Sequence, residues 1–258
     1  MSYVFTAQET PSVAVAGTTD AFPVHRIYCV GQNYANHATE MGANPEREAP
    51  FFFSKPADAV CPEGTRLPFP LATENLHHEI ELVIAIGKKG TNILTGDALD
   101  YVFGYAVGLD LTRRDLQSEA KKRGRPWATA KGFYNSAPCS AVHSISEVGL
   151  FERGKITLSV NGELRQQGDI SEMIWFVAEV VSSLSGFFEL CPGDLIFTGT
   201  PAGVGSLNKG DKLEGEMENL AKLNITNWLK CKFSKFVLKF YGKLPKLVIC
   251  LLNSLKSY

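Results

Sequence analysis

The sequence predicts an α+β chain dominated by strands. Short runs rich in Val, Ile, Leu and aromatic residues recur between Gly, Pro and Asn turn signals, two stretches carry helical spacing, and no apolar run is long enough to span a bilayer. A lead-in over residues 1–23, in which Val13 and Val15 alternate before Gly17, precedes a buried strand at Arg26-Ile27-Tyr28-Cys29-Val30-Gly31. From Gln32 to Gly42 there is room for little more than a short helix. Phe51-Phe52-Phe53-Ser54-Lys55 reads as an aromatic strand stopped by Pro56, and a proline-rich connection runs from Pro62 to Pro70. Ile80 to Ile86 is β-branched, short and closed by Gly87-Lys88-Lys89-Gly90, and Tyr105 to Leu109 is a second apolar run. Asp115 to Lys122 is polar with helical character and ends at Gly124-Arg125-Pro126. Ile156 to Val160 alternates, and Asn161-Gly162 predicts a tight hairpin into Glu163-Leu164-Arg165. Asp169 or Ser171 is placed to cap a helix from Glu172 to about Glu189, whose Phe176, Val177, Val180, Val181 and Leu184 form one apolar face. A turn at Cys191-Pro192-Gly193-Asp194 leads into the strand Leu195-Ile196-Phe197-Thr198 and then the glycine-rich loop Gly199 to Gly205.

Composition narrows the class of protein. With 258 residues and 45% hydrophobic content, the chain can bury a sizeable core. Its six cysteines are scattered without a CxxC pair, which suits a reducing compartment, and the N-terminus lacks the basic-then-apolar pattern of a signal peptide, so a cytoplasmic protein is expected. Seven lysines and no acid fall in residues 230–258, which leaves the preceding chain clearly acidic. The composition changes abruptly after Thr226 toward residues with A/T-rich codons, so residues 227–258 are expected to be a frame-shifted or non-native Lys-rich tail. The basic cluster Lys121-Lys122-Arg123-Gly124-Arg125 reads as a solvated helix end on an acidic body, and neither nucleic acid nor a membrane is expected as a partner.

The chemistry concentrates around His78-Glu79-Ile80-Glu81. A two-residue period places Glu79 and Glu81 on one face of a strand, and burying two carboxylates together is costly unless a cation lies between them. Asp110 closes the next apolar run. Three carboxylates without a thiolate make an all-oxygen donor set that suits Mg²⁺ or Mn²⁺ and also admits Ca²⁺. Ordinary surface acids at a strand edge are the competing reading. His37 and Glu40 share a face at helical spacing, so the carboxylate can orient the imidazole as a general base, against the plainer reading of a loop histidine beside an exposed acid. Lys55 reads either as a lysine delivered to a cavity rim or as an exposed residue ending a core strand. Lys131, among small and apolar neighbours, reads as a carboxylate-binding or pKa-depressed catalytic lysine, or as one that snorkels to water. The loop from Gly199 offers backbone N–H groups to a small carboxylate; without a GK[ST] ending it is not a nucleotide loop.

In order, Gly31-Gln32-Asn33-Tyr34 with His37 and Glu40, Phe53-Ser54-Lys55-Pro56, His78-Glu79-Ile80-Glu81, Gly108-Leu109-Asp110 with Arg114, Asp115 and Gln117, Lys131, and Gly199-Thr200-Pro201 resemble the fumarylacetoacetate hydrolase family. The match places a catalytic domain at residues 24–226, and the lead-in together with Phe51 to Val60 is most similar to the family's bacterial fumarylpyruvate hydrolase branch. The resemblance implies a β-rich mixed-sheet roll with short flanking helices, usually a homodimer. It implies Mg²⁺ or Mn²⁺ held by Glu79, Glu81 and Asp110, with His37, Glu40 and Lys131 catalytic. It also implies that Lys55, Arg114, Gln117, Gly199 and Thr200 serve a small-molecule 2-oxo acid. Gln32 stands where an arginine is usual in the G-x-N-Y motif. The implied activity is hydrolysis of the carbon–carbon bond of an acylpyruvate. An oxaloacetate decarboxylase or 2-oxo acid tautomerase of the same fold is the first alternative, and a catalytically dead metal-stabilised scaffold the second.

Overall fold

The computed structural model describes residues 3–35 and 48–225. The tail expected over 227–258, and His37 and Glu40, lie outside the described residues.

Ile80–Ile86 is buried at every position, and the molecule is built around it. Across the main sheet the strands run in the order Phe51–Lys55, Arg26–Gly31, Asp194–Phe197, Ile80–Ile86, Val102–Leu109, Ala137–Cys139, Val60–Pro62, with His143–Ser144 added beside Val102–Leu109. Arg26–Gly31 is parallel to Asp194–Phe197 and Ala137–Cys139 is parallel to Val60–Pro62, while the other pairings are antiparallel, so the sheet is mixed. Alternation sorts the central strand into two cores. Ile80, Leu82, Ile84 and Ile86 face one side, where they join Ile156, Leu158, Leu213 and Met217. Val83 and Ala85 face the other, with Phe22, Ile27, Cys29, Ala106 and Phe197. Both faces being covered explains why this strand is an apolar run rather than a polar-apolar alternation.

The first of these cores is closed by a second, antiparallel sheet in the order Glu163–Asp169, Lys155–Val160, Leu213–Met217, Leu223–Ile225. The two sheets approach so closely at Gly215 that a Cβ there would lie 2.7 Å from Ile80 Cδ1. Val177, Val180, Val181 and Leu184 of the helix Val177–Ser185 complete that core. A hairpin of Ser12–Ala14 and Ala21–Pro23 covers the other side through Val13 and Phe22. Each fully buried aliphatic side chain contributes about 1.5–3 kcal/mol, so the paired cores supply the bulk of the driving force.

The helix expected from Glu172 to about Glu189 is shorter than its apolar pattern suggests. Asp169 caps a single 3₁₀ turn, Ile170–Glu172, and α-helix begins only at Val177. The cause is Asn33: its carbonyl accepts from Ile174 N–H at 2.8 Å and its side-chain oxygen from Trp175 N–H at 2.7 Å. Backbone donors held in this way cannot enter a helical ladder. No helix among the described residues is long and apolar enough to cross a membrane.

Candidate active site

The register of the two central strands assembles the site. Ile80 lies opposite Leu109 in an antiparallel pair, so Glu79 and Asp110 leave their strands at the same edge, joined by a 2.9 Å hydrogen bond from Asp110 N–H to Glu79 carbonyl. Glu81 faces Gly108 across the ladder. The sheet thus brings all three carboxylates together, each with an oxygen within 4.8 Å of the others, and they are only 4%, 2% and 1% exposed. Such burial excludes the reading of ordinary surface acids.

Cations surround the cage unevenly. Lys131 Nζ donates to Glu79 Oε2 at 2.8 Å and to Asp110 Oδ2 at 2.5 Å, bridging two of the three acids. Arg114 binds the other oxygen of Glu79, reaches Gln117 Oε1 at 2.5 Å and donates from Nε to His77 Nδ1 at 3.3 Å. Lys55 Nζ lies 2.8 Å from Asp110 Oδ1. That contact is an ion pair of poor hydrogen-bond direction, since Asp110 Oδ1 receives no well-aligned donor. Among the described residues no cation is bonded to Glu81, which accepts a 2.8 Å hydrogen bond from Gly199 N–H. Burial, followed by the neighbouring Asp110 and Glu79 charges, therefore drives the Glu81 carboxyl well above its ordinary pKa. A buried carboxylate without a cation, an acid oxygen without an aligned donor, and a donor set made only of oxygens fit a divalent ion such as Mg²⁺ or Mn²⁺ at Glu79, Glu81 and Asp110.

Lys55 differs from both of its sequence-based readings, and Lys131, which binds two carboxylates, differs from the other two of its three. Lys55 does not reach the cavity rim and is not exposed: its side chain is fully buried beneath Asp110, donating to Lys131 carbonyl at 2.5 Å, Ser136 Oγ at 3.0 Å and Leu111 carbonyl at 3.2 Å. The strand Phe51–Lys55 points it inward because Arg26–Gly31 pairs with that strand and sets Lys55 opposite Ile27. Lys55 thus contacts a candidate ligand from below. Lys131 neither snorkels nor carries a depressed pKa. Burial acts against its ammonium, but Asp110 and Glu79 outweigh burial and raise its pKa above the usual lysine value.

Arg114, Gln117, Lys131, Gly199 and Thr200 line one cleft with the three carboxylates. The N–H of Gly199 is committed to Glu81, so its contribution there is to aim an acid. Glycine is needed at this position because its φ is +95° and because any Cβ would stand 2.8 Å from Asn33 Cβ. Several participants were not singled out by sequence reasoning. Gln166 is almost fully buried and accepts from His78 Nδ1 at 2.8 Å and Ile80 N–H at 3.1 Å, while donating to Thr200 Oγ1 at 2.8 Å and Pro201 carbonyl at 2.9 Å. It locks the Thr200 loop to the start of the central strand, and nothing in its hairpin sequence marks it. Phe53 and Trp127 also line the cleft, as does Lys121, which is exposed as expected of a helix end yet borders the site. Lys121 did have a signal, because it follows Arg114 and Gln117 by seven and four residues on one helix face. Next to the cage, burial and then Arg114 push the His77 pKa down to about 4, so it is a neutral acceptor at neutral pH.

Comparison with known proteins identifies the family. Residues 26–226 match the family model described as fumarylacetoacetate (FAA) hydrolase C-terminal. The mitochondrial oxaloacetate tautomerase FAHD1 of Mus musculus is 43% identical over 197 residues, covering 76% of this chain and 89% of that protein. A fumarylpyruvate hydrolase of Ralstonia sp is 42% identical over 179 residues, covering 69% and 93%. The crystal structure of fumarylpyruvate hydrolase from Pseudomonas aeruginosa in complex with Mn²⁺ and pyruvate superposes with a TM-score of 0.85 at 51% identity, covering 87% of this chain and 98% of that one. The mixed-sheet roll, the ordered motifs and these likenesses together make the chain a member of the fumarylacetoacetate hydrolase family.

Proposed function

We propose that this protein hydrolyses the carbon–carbon bond of an acylpyruvate, fumarylpyruvate first among them, giving fumarate and pyruvate in gentisate-type breakdown of aromatic compounds. The observation that carries the reading is one cleft in which a three-carboxylate cage adjoins Lys131, Arg114 and Gln117, cations and donors suited to a 2-oxo acid. The Pseudomonas aeruginosa relative that holds Mn²⁺ and pyruvate supports it. A divalent ion at Glu79, Glu81 and Asp110 would supply Lewis-acid stabilisation of negative charge on a 2-oxo acid.

The chain's own residues divide the rest of the work. Arg114 and Gln117 orient the pyruvyl carboxylate, and Thr200, held by Gln166, fixes the opposite wall. His37, oriented by Glu40, takes a proton from a water that attacks the carbonyl carbon remote from the pyruvyl carboxylate. The bond from that carbon to the methylene breaks, and its electron pair leaves on the pyruvyl fragment as an enolate. The ammonium of Lys131, already buried and charged, stabilises this developing charge without reorganisation. A proton returned to the methylene carbon gives pyruvate. In this reading the protein acts in the cytoplasm as a homodimer.

A second reading is oxaloacetate tautomerisation, through an enolate that keeps both carboxylates, or decarboxylation to the pyruvate enolate; the relatives named oxaloacetate tautomerase support the first of these. Assaying a panel of acylpyruvates and oxaloacetate with Mg²⁺ or Mn²⁺ separates the two. One fumarate and one pyruvate per fumarylpyruvate consumed supports hydrolysis. Turnover of oxaloacetate alone transfers the assignment to the second reading.

A further inference from the structure

Arg114, Gln117 and Lys121 recur at helical spacing on the helix Arg114–Lys122, and all three line the cleft. Arg114 is bonded to Glu79 at the cage, and Lys121 stands seven residues further on, a rise of about 10 Å along the helix axis. The helix therefore lays a row of donors outward from the candidate metal site, ending on a cation. Among the described residues no carboxylate pairs with Lys121; its ammonium lies 5.7 Å from the centroid of the Trp127 ring. Trp127 and Phe53, whose centroids are 5.7 Å apart with their planes inclined at 60°, give the cleft an aromatic lining. Lys121 is exposed at one end of the cleft, where partial burial and then Arg114 lower its pKa while Glu79 opposes them.

Charge balance points the same way. Among the groups that line the cleft, the three carboxylates are matched in number by Lys131, Arg114 and Lys121. A divalent ion would then leave a double positive charge, and Lys55 beneath Asp110 adds to the same sign. A substrate with two carboxylates offsets more of that field than one with a single carboxylate.

Resting on the acylpyruvate reading, we propose that Lys121 is a specificity-determining residue that binds the distal carboxylate of a dianionic acylpyruvate, whose flat unsaturated acyl chain lies along Trp127 and Phe53. The pyruvyl end sits at Arg114 and Gln117, and the far carboxylate reaches the ammonium at the end of the helix.

The test compares fumarylpyruvate, which carries the distal carboxylate, with acetylpyruvate, which does not, in the Mn²⁺-loaded full-length protein. Wild type should prefer fumarylpyruvate in kcat/KM by at least tenfold. Lys121→Met should raise KM for fumarylpyruvate at least tenfold, leave kcat/KM for acetylpyruvate within twofold and leave the melting temperature unchanged. Lys121→Arg should restore most of the preference. Arg125→Ala, in the adjoining aromatic groove, should change neither substrate. Equal losses on both substrates in Lys121→Met, no loss on fumarylpyruvate, or loss of the preference in Arg125→Ala instead, would overturn the role of Lys121 while the hydrolase reading stands. A wild type that cleaves neither substrate would sink the hydrolase reading and this assignment with it.

Discussion

Glu81 and Lys131 occupy the same cage with opposite needs. Among the described residues, Glu81 lacks a bonded cation and is held protonation-prone by burial and by Asp110 and Glu79. Glu81→Gln therefore replaces a carboxyl whose ionisation burial opposes with a neutral amide in the metal-free protein, while removing a candidate ligand from the loaded one. Expected are an unchanged or higher melting temperature without metal, loss of Mn²⁺ binding by titration, and a fall in turnover of at least about a hundredfold. Retention of Mn²⁺ affinity would falsify the cage. Lys131 should behave oppositely. Lys131→Met leaves Glu79 and Asp110 without their shared ammonium, so the metal-free protein should lose about 3–5 kcal/mol in urea unfolding. Saturating Mn²⁺ should recover part of that loss by mass action, whereas turnover should stay about 10²–10³ below wild type. A stability loss indifferent to Mn²⁺ would mean that lysine and metal do not share these oxygens. At this scale the acids were legible because Glu-x-Glu on an apolar strand is a local pattern. The burial of Lys55 was not, because its direction depends on which strand pairs with Phe51–Lys55.

Elements were legible where pattern and packing agree. Ile80–Ile86 appears with its expected bounds, since β-branching, turn flanks and burial on both faces all demand a strand. The helix expected from Glu172 onward failed at its start because Asn33, distant in sequence, binds the backbone at Ile174 and Trp175. Asp169, one of the two expected caps, instead closes the 3₁₀ turn Ile170–Glu172: its Oδ1 accepts from Ser171 N–H at 2.9 Å and from Gly154 N–H at 3.2 Å. The Ser171 side chain is the main cause that holds the Asp169 pKa below its ordinary 3.8. A depressed carboxyl pKa contributes stability that is present above the unfolded value and lost as pH falls through the folded one. Asp169→Ala should therefore cost about 1 kcal/mol at neutral pH, and that deficit should shrink as the pH falls below the ordinary carboxyl value of 3.8. Urea midpoints of the two proteins at both pH values measure it. A deficit of constant size would show that the cap works without its charge.

For the molecule as a whole, family-level architecture could be read from ordered motifs, but the sheet order could not, since neighbours such as Asp194–Phe197 and Arg26–Gly31 are far apart in the chain. Leu223–Ile225 pairs with Leu213–Gly215 at the edge of the second sheet, and Leu223 and Ile225 are fully buried in its core. Residues up to 225 therefore satisfy that strand's apolar side chains, and the carboxylate cage, Lys131, Arg114 and the Thr200 loop all precede it. We propose that residues 227–258, with their lysine excess, lie outside the catalytic fold. A chain ending at Thr226 should then melt within about 2–4 °C of the full-length protein and keep its turnover. Ending the chain before Leu223 instead should remove two buried aliphatic side chains and their strand pairing, at a cost of about 3–6 kcal/mol from apolar burial alone. If the cut after Thr226 destroys activity as thoroughly as the cut before Leu223, the Lys-rich segment is part of the working molecule and the boundary proposed for the domain is misplaced.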